Sequence, residues 1–165
     1  MERRLMFEKT PLKASLLELP ENYHKDAKEA FLLILKYMGD YPYKGQKDKD
    51  LLQALVQMGI DIVIIRDEIL CQLAKQTTNN PSSASNLKGW HLIMFCCSSF
   101  LPSNEFAAFW NKHLTENAEM GDPEVQKLAK MAITRINEVV VKGPRKRGPS
   151  ESEIDSGKMQ KKAEP

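Results

Sequence analysis

Cysteine is scarce. Cys96 and Cys97 are adjacent, Cys71 stands alone, and the 165 residues hold no other. No spacing resembles a disulfide framework or a paired-ligand zinc site, which fits a reducing, cytoplasmic setting. Glycine, at 8 residues, is too rare for a collagenous chain. Long apolar runs are missing too. The longest, Leu92 to Leu101, falls well short of the ~20 residues of a membrane-spanning helix and contains two serines. The start, Met1-Glu2-Arg3-Arg4-Leu5-Met6-Phe7-Glu8, lacks a signal-peptide core. No G-x-x-x-x-G-K-[ST], G-x-G-x-x-G or G-x-S-x-G occurs, so the standard nucleotide-binding and nucleophile loops are absent. His24, His91 and His113 fall on separate expected helices, and the three cysteines read as small buried hydrophobes. No catalytic residue, cofactor or metal is expected.

What remains is an ordinary soluble composition, 42% apolar and 28% charged. A chain of this length buries roughly 68–70% of its unfolded surface and can hold one core. The formal net charge is only +2, but it is unevenly placed. Residues 142–165 carry seven Lys/Arg against four Asp/Glu, while the rest of the chain is slightly acidic. A local basic excess points to an acidic partner.

Hydrophobic spacing predicts an all-α fold. Tyr23 to Met38 carries an i, i+3, i+4 stripe and ends at Gly39, a natural left-handed terminator. A loop follows from Asp40, carrying Pro42 and Gly45. Asp48 or Asp50 starts a helix that Gly59 is expected to end. The run Ile60 to Ile65 has strand-like β-branching but no partner strand. It reads as the start of a buried helix capped by Asp61 and reaching Thr78. Within it, Arg66 is expected to pair with a carboxylate of a neighbouring helix, with Glu68 structural rather than catalytic. The polar run Gln76 to Asn80 reads as helix termination through side-chain bonds to freed carbonyls. Leu87 to Ser99, capped by Ser85 or Asn86, is apolar almost all round and belongs in the centre. Ser103 caps an aromatic helix with Phe106, Phe109, Trp110 and Leu114. Asp122-Pro123-Glu124 opens the last one, whose inner stripe runs through Val125, Leu128, Ala129, Ala132, Ile136 and Val139.

The candidate site is electrostatic. Lys127, Lys130, Arg135 and Lys142 lie within about 140° around the last helix at ~100° per residue. Arg145, Lys146 and Arg147 follow it. Three consecutive cations exceed what helix capping requires.

Several motifs occur in a telling order. Tyr37-Met38-Gly39-Asp40 comes first. Arg66-Asp67-Glu68-Ile69-Leu70-Cys71-Gln72-Leu73 follows, leading into Lys75-Gln76-Thr77-Thr78-Asn79-Asn80-Pro81. Gly89-Trp90, Pro102-Ser103, and Gly143, Arg145, Pro149-Ser150 and Glu153-Ile154 complete the series. Together these resemble the signature of the myosin tail homology 4 (MyTH4) domain over about Phe7 to Ile154. Thr10-Pro11-Leu12 and Tyr37 to Gln46 look most like unconventional myosins, in particular the class-fifteen branch. Gly148-Pro149 stands where the family often has a double proline. The resemblance implies an elongated all-α bundle of about six to eight helices over residues 7–154, with a disordered tail or linker over 155–165. Gly39, Asp40 and Pro149 have structural roles in it. It further implies a non-catalytic, cytoskeleton-associated module. Family members bind microtubules or the cytoplasmic parts of cargo proteins, usually beside a FERM domain, and the basic cluster makes microtubules or acidic cargo-protein segments the expected partners. Lys146 and Arg147 come from electrostatics and not from the family pattern. A basic helical module could instead serve nucleic acid or an anionic membrane surface. The low net charge and the lack of aromatics near the cations argue against nucleic acid, and the last helix's apolar face is needed for the core.

Overall fold

The computed structural model describes residues 5–156. Seven α-helices make up the fold: α1 (His24–Tyr37), α2 (Asp48–Asp61), α3 (Arg66–Gln76), α4 (Ser83–Cys97), α5 (Asn104–Glu119), α6 (Pro123–Lys142) and α7 (Glu151–Asp155). No strand occurs among the described residues. The apolar α4 sits centrally, against α1, α2, α3 and α6, while α5 packs on α3 and α6. Leu92 to Cys97 are all buried, as expected for a helix without a polar face. The inner stripe of α6 faces this core, with Ile136 half-buried at its edge. Phe106 is also half-buried, and Phe109 points largely outward.

Local chemistry sets most boundaries. Gly39 (φ +83°) ends α1 in a Schellman motif: its N–H reaches Lys36 O at 3.1 Å, and the Asp40 N–H reaches Leu35 O at 2.9 Å. Asp40 Oδ2 then accepts the Ser85 hydroxyl at 2.6 Å, and Ser85 Oγ accepts Asn80 Nδ2 at 2.9 Å. The end of α1, the end of α3 and the first turn of α4 are thereby joined. At the end of α3, Thr77 Oγ1 bonds Leu73 O, Thr78 Oγ1 bonds Ala74 O, and Asn79 takes φ +54°. This is the termination the polar run implied. Ser103 and Asp122 cap α5 and α6 as expected. Helix α4 begins earlier than expected, because Ser82 and not Ser85 or Asn86 is its cap; Ser82 Oγ accepts the Ser85 N–H at 3.2 Å.

Three expectations fail between residues 59 and 66. Gly59 does not end α2. The helix continues to Asp61, and Gly59 is there because a Cβ would stand 2.3 Å from the Phe100 ring. The Ile60 to Ile65 run does not open a helix. Asp61 closes α2, Ile62 leaves helical geometry, and Val63–Ile65 form one 3-10 turn with Val63 67% exposed. Arg66 meets no carboxylate among the described residues. Its Nε donates to Gly59 O at 2.7 Å and its Nη2 to Ile60 O at 3.0 Å, with the guanidinium 5.6 Å from the Phe100 ring centre. Those carbonyls belong to the last turn of α2, which has no intrahelical donors for them. Arg66 therefore caps α2 from the first residue of α3.

Glu68 is fully buried and forms no ion pair among the described residues. It accepts the N–H groups of Leu16 (3.0 Å) and Leu17 (2.8 Å) and the Gln72 amide (2.7 Å). Its main-chain partners lie in the N-terminal segment. Lys75 and Gln76 hold the same segment: Lys75 Nζ donates to Met6 O at 2.8 Å, and Gln76 exchanges two bonds with the backbone of Glu8. The segment from Leu12 to Leu19 is irregular and not helical.

His113 lies between two indoles, stacked on Trp90 (centroids 5.3 Å) and tilted against Trp110 (5.9 Å), with Nε2 2.9 Å from Thr77 Oγ1. Burial lowers its pKa to about 4. The folded state thus prefers the neutral ring, and the stability this confers is complete above the ordinary pKa of 6.5 and lost as pH falls towards 4. Stability should drop by about 2 kcal/mol between pH 7.5 and pH 5. His91, whose pKa burial also lowers, acts in the same direction. Urea denaturation across that range checks this; a flat profile, or one unchanged in His113→Gln, would refute the assignment. Arg66→Ala should cost about 2 kcal/mol, the worth of charge-assisted bonds to two carbonyls, because no buried carboxylate is orphaned. Arg66→Lys should restore only part, lacking the fork.

Candidate functional site

The cysteines offer no nucleophile. All three are buried, and burial pushes the Cys71 and Cys97 thiols up to about 12. No cluster of three or more His, Cys, Asp or Glu suited to a metal ion occurs among the described residues. No described helix is long and apolar enough to cross a membrane.

The candidate surface is therefore the outer face of α6 and the strap that follows. Helix α6 runs twenty residues, and its buried stripe turns the opposite face outward. Lys127, Lys130 and Lys142 are exposed on that face. None of the three side chains has a hydrogen bond or ion pair among the described residues; the Lys130 carbonyl also accepts the Thr134 hydroxyl at 3.1 Å. Arg135 differs: it is half-buried and pairs with Glu138 at 3.1 Å, one turn on. Lys127 and Lys142 are roughly 22 Å apart along the axis at 1.5 Å per residue. The cations thus form a row with two ends. Val141, 84% exposed, lies on the same face, with Val140 beside it. The stripe reading assigned Val139 to the core, where it is buried. It gave no role to Val140 and Val141; at ~100° per residue Val141 falls opposite the stripe, whereas Val140 falls at its edge.

The strap begins at Gly143 (φ +84°), which breaks the helix. The Arg145 N–H donates to Ser99 O at 2.8 Å, and its guanidinium grips Glu153 with Nη1 at 2.8 Å and Nη2 at 3.2 Å. That bond holds the Glu153 carboxyl below its ordinary pKa. The strap then crosses α2 along Lys49, Gln53 and Gln57, one face at i, i+4 and i+8. Gln57 Oε1 accepts the Gly148 N–H at 2.7 Å, Gln53 donates to Pro149 O at 3.0 Å, and Lys49 meets Asp155 at 2.5 Å. Pro149 is buried. Ser150 caps α7 in a reciprocal box with Glu153. Lys146 and Arg147 stay exposed at the outside of the bend. The seven cations of the sequence reading thus separate. Arg135 and Arg145 are bound to carboxylates within the fold, while Lys127, Lys130, Lys142, Lys146 and Arg147 present their charge to solvent. The tail expected over 155–165 lies, from residue 157 on, outside the described residues.

Comparison with known proteins gives the fold its relatives. A family model described as the MyTH4 domain matches residues 52–156. A myosin-I heavy chain of Dictyostelium discoideum is 35% identical over 156 residues, 91% of this chain and 7% of that protein. The kinesin-like protein KIN-14E of Arabidopsis thaliana is 31% identical over 94% of this chain and 13% of its own length. Human unconventional myosin-XV is 43% identical over 96 residues, 56% of this chain and 3% of its own. Among solved structures, the Dictyostelium discoideum myosin VII MyTH4-FERM MF2 domain superposes with a TM-score of 0.86 at 33% identity, covering 93% of this chain and 33% of that one. The C-terminal MyTH4-FERM domain of human myosin 7b, solved in complex with the harmonin-a PDZ3 domain, gives 0.81 at 28% identity, covering 92% and 31%. The chain spans about a third of these solved chains and a small fraction of the curated relatives. It belongs to the MyTH4 family, the non-catalytic protein-interaction domain of myosin and kinesin tails.

Proposed function

We propose that this domain docks a motor tail onto a strongly acidic cytoskeletal surface, the microtubule, beside a FERM domain in the intact protein. The supporting observation is the row of cations that the fold does not use: Lys127, Lys130, Lys142, Lys146 and Arg147 are exposed, whereas Arg135 and Arg145 are held by Glu138 and Glu153. Solvated cations contribute little to folding but add to the attraction of an acidic surface at close range. A second reading, an acidic segment of a cargo protein, is favoured by Val140 and Val141. These bring apolar area into the cationic face, suited to a partner that mixes carboxylates with aliphatic side chains.

Charge reversal at the free cations tests the reading. Lys142→Glu, Lys146→Glu and Arg147→Glu together should weaken co-sedimentation with microtubules at least tenfold, with melting temperature and helicity near the parent's. Arg145 is left intact because its loss would free the strap. At a Debye length of about 8 Å only charges near the contact matter, so rising salt should weaken the parent and leave the variant little further to lose. Duplex DNA and anionic vesicles run in parallel should retain neither protein appreciably. Parent and variant binding alike at every salt concentration would overturn the reading. Capture of the parent by an acidic peptide, abolished by Val141→Asp, would then favour the cargo reading.

A further inference from the structure

The strap carries a pattern the docking reading does not use. Of the six arginines in the chain, Arg145 and Arg147 stand five and three residues before Ser150, in Arg145-Lys146-Arg147-Gly148-Pro149-Ser150. Residues 143–149 have no helix or strand, which suits a substrate that must lie extended in an enzyme cleft. Ser150 is exposed, and its hydroxyl oxygen accepts the Glu153 N–H at 3.2 Å. The Ser150 hydroxyl also hydrogen-bonds the Glu153 carboxylate, which helps hold that carboxyl below its ordinary pKa. No acidic side chain stands between Lys142 and Ser150; the carboxylates begin at Glu151. An acidic cleft that reads guanidinium groups through paired carboxylates finds the exposed fork of Arg147 three residues before the acceptor, whereas that of Arg145 is held by Glu153.

We propose that Ser150 is a phosphorylation site for an arginine-directed serine/threonine protein kinase, and that phosphate there switches off the cation surface. In the transfer, the γ-phosphoryl group of ATP passes to Ser150 Oγ. The β–γ bridging P–O bond breaks, a new P–O bond forms, ADP leaves, and the hydroxyl proton goes to the kinase's base. The product adds about −1.5 to −2 charges at neutral pH. That charge falls three residues from Arg147 and four from Lys146, two of the cations that face solvent. A partner attracted by the strap then meets a locally neutral surface. The phosphate also enters the knot in which Arg145 Nη1 and Nη2 hold Glu153 and Glu153 caps Ser150 N at 3.3 Å. A dianion at Ser150 competes for the same guanidinium, so the clamp between the strap and α7 loosens.

The switch rests on the docking reading; the modification does not. The chain is incubated with ATP, Mg2+ and the catalytic domain of an arginine-directed kinase, and phosphopeptides are mapped by mass spectrometry. One phosphate on the peptide containing Ser150 is expected, absent in Ser150→Ala. The kcat/KM should fall at least tenfold in Arg147→Ala, whose exposed side chain leaves the fold intact. Phosphate on Ser152 or elsewhere, or a rate indifferent to Arg147→Ala, overturns the site. The phosphorylated and unmodified chains are then co-sedimented with microtubules. A loss of about tenfold on phosphorylation supports the switch, and equal binding overturns it while leaving the docking reading standing. Failure of the unmodified chain to bind overturns the docking reading and the switch together, and leaves the mapped site to be judged on the kinase data alone.

Discussion

Irregular backbone must find hydrogen-bond partners when it is pressed against a core, and in this fold α3 supplies them. Four of its side chains, Glu68, Gln72, Lys75 and Gln76, recur at i, i+4, i+7 and i+8 and are buried. They bond main-chain groups of Met6, Glu8, Leu16, Leu17 and Ala27. None of them forms a close ion pair; Glu8 approaches Lys75 only to 3.9 Å. An unmet buried amide or carboxylate costs about 1–3 kcal/mol or more, so the stripe and the segment it holds depend on each other. Arg66 extends the same principle to α2, whose last turn it caps. The motif that marks the family in sequence is thus a set of donors and acceptors for backbone, arranged on one short helix.

Helix ends governed by neighbouring residues were legible. Gly39, Ser103 and Asp122 act through groups two to five positions away, within any short window of sequence. Those governed by distant contacts were not. Gly59 looked like a terminator because its reason, the Phe100 ring, lies forty-one residues later. Arg66 looked like half of an ion pair because a carbonyl partner leaves no mark in composition. Val63 and Ile64 looked buried because β-branched residues favour interiors. Yet two helices had to be joined there, and a 3-10 turn puts two of its three side chains outside. The candidate surface was legible as charge and not as geometry. A count of cations cannot tell Arg145, clamped by Glu153, from Arg147, two residues later and solvated.

The separation between clamped and solvated cations makes a docking surface possible on a domain of this size. A cation that braces the fold cannot also be reassigned to a partner without cost, since its carboxylate would be left desolvated and unpaired. Arg145 closes the bidentate pair that ties the strap to α7, so it gives its position to the surface but little net charge. Lys142 is placed by the end of α6, and Lys146 and Arg147 by that strap, to whose anchoring their side chains contribute no described bond. Their charge can therefore change, by substitution or by a nearby phosphate, while the helices beneath stay packed. The strap joins the two requirements: its backbone is fixed by Ser99, Gln53 and Gln57, and that rigidity keeps free cations on the outside of a bend instead of letting them collapse onto the acidic α7.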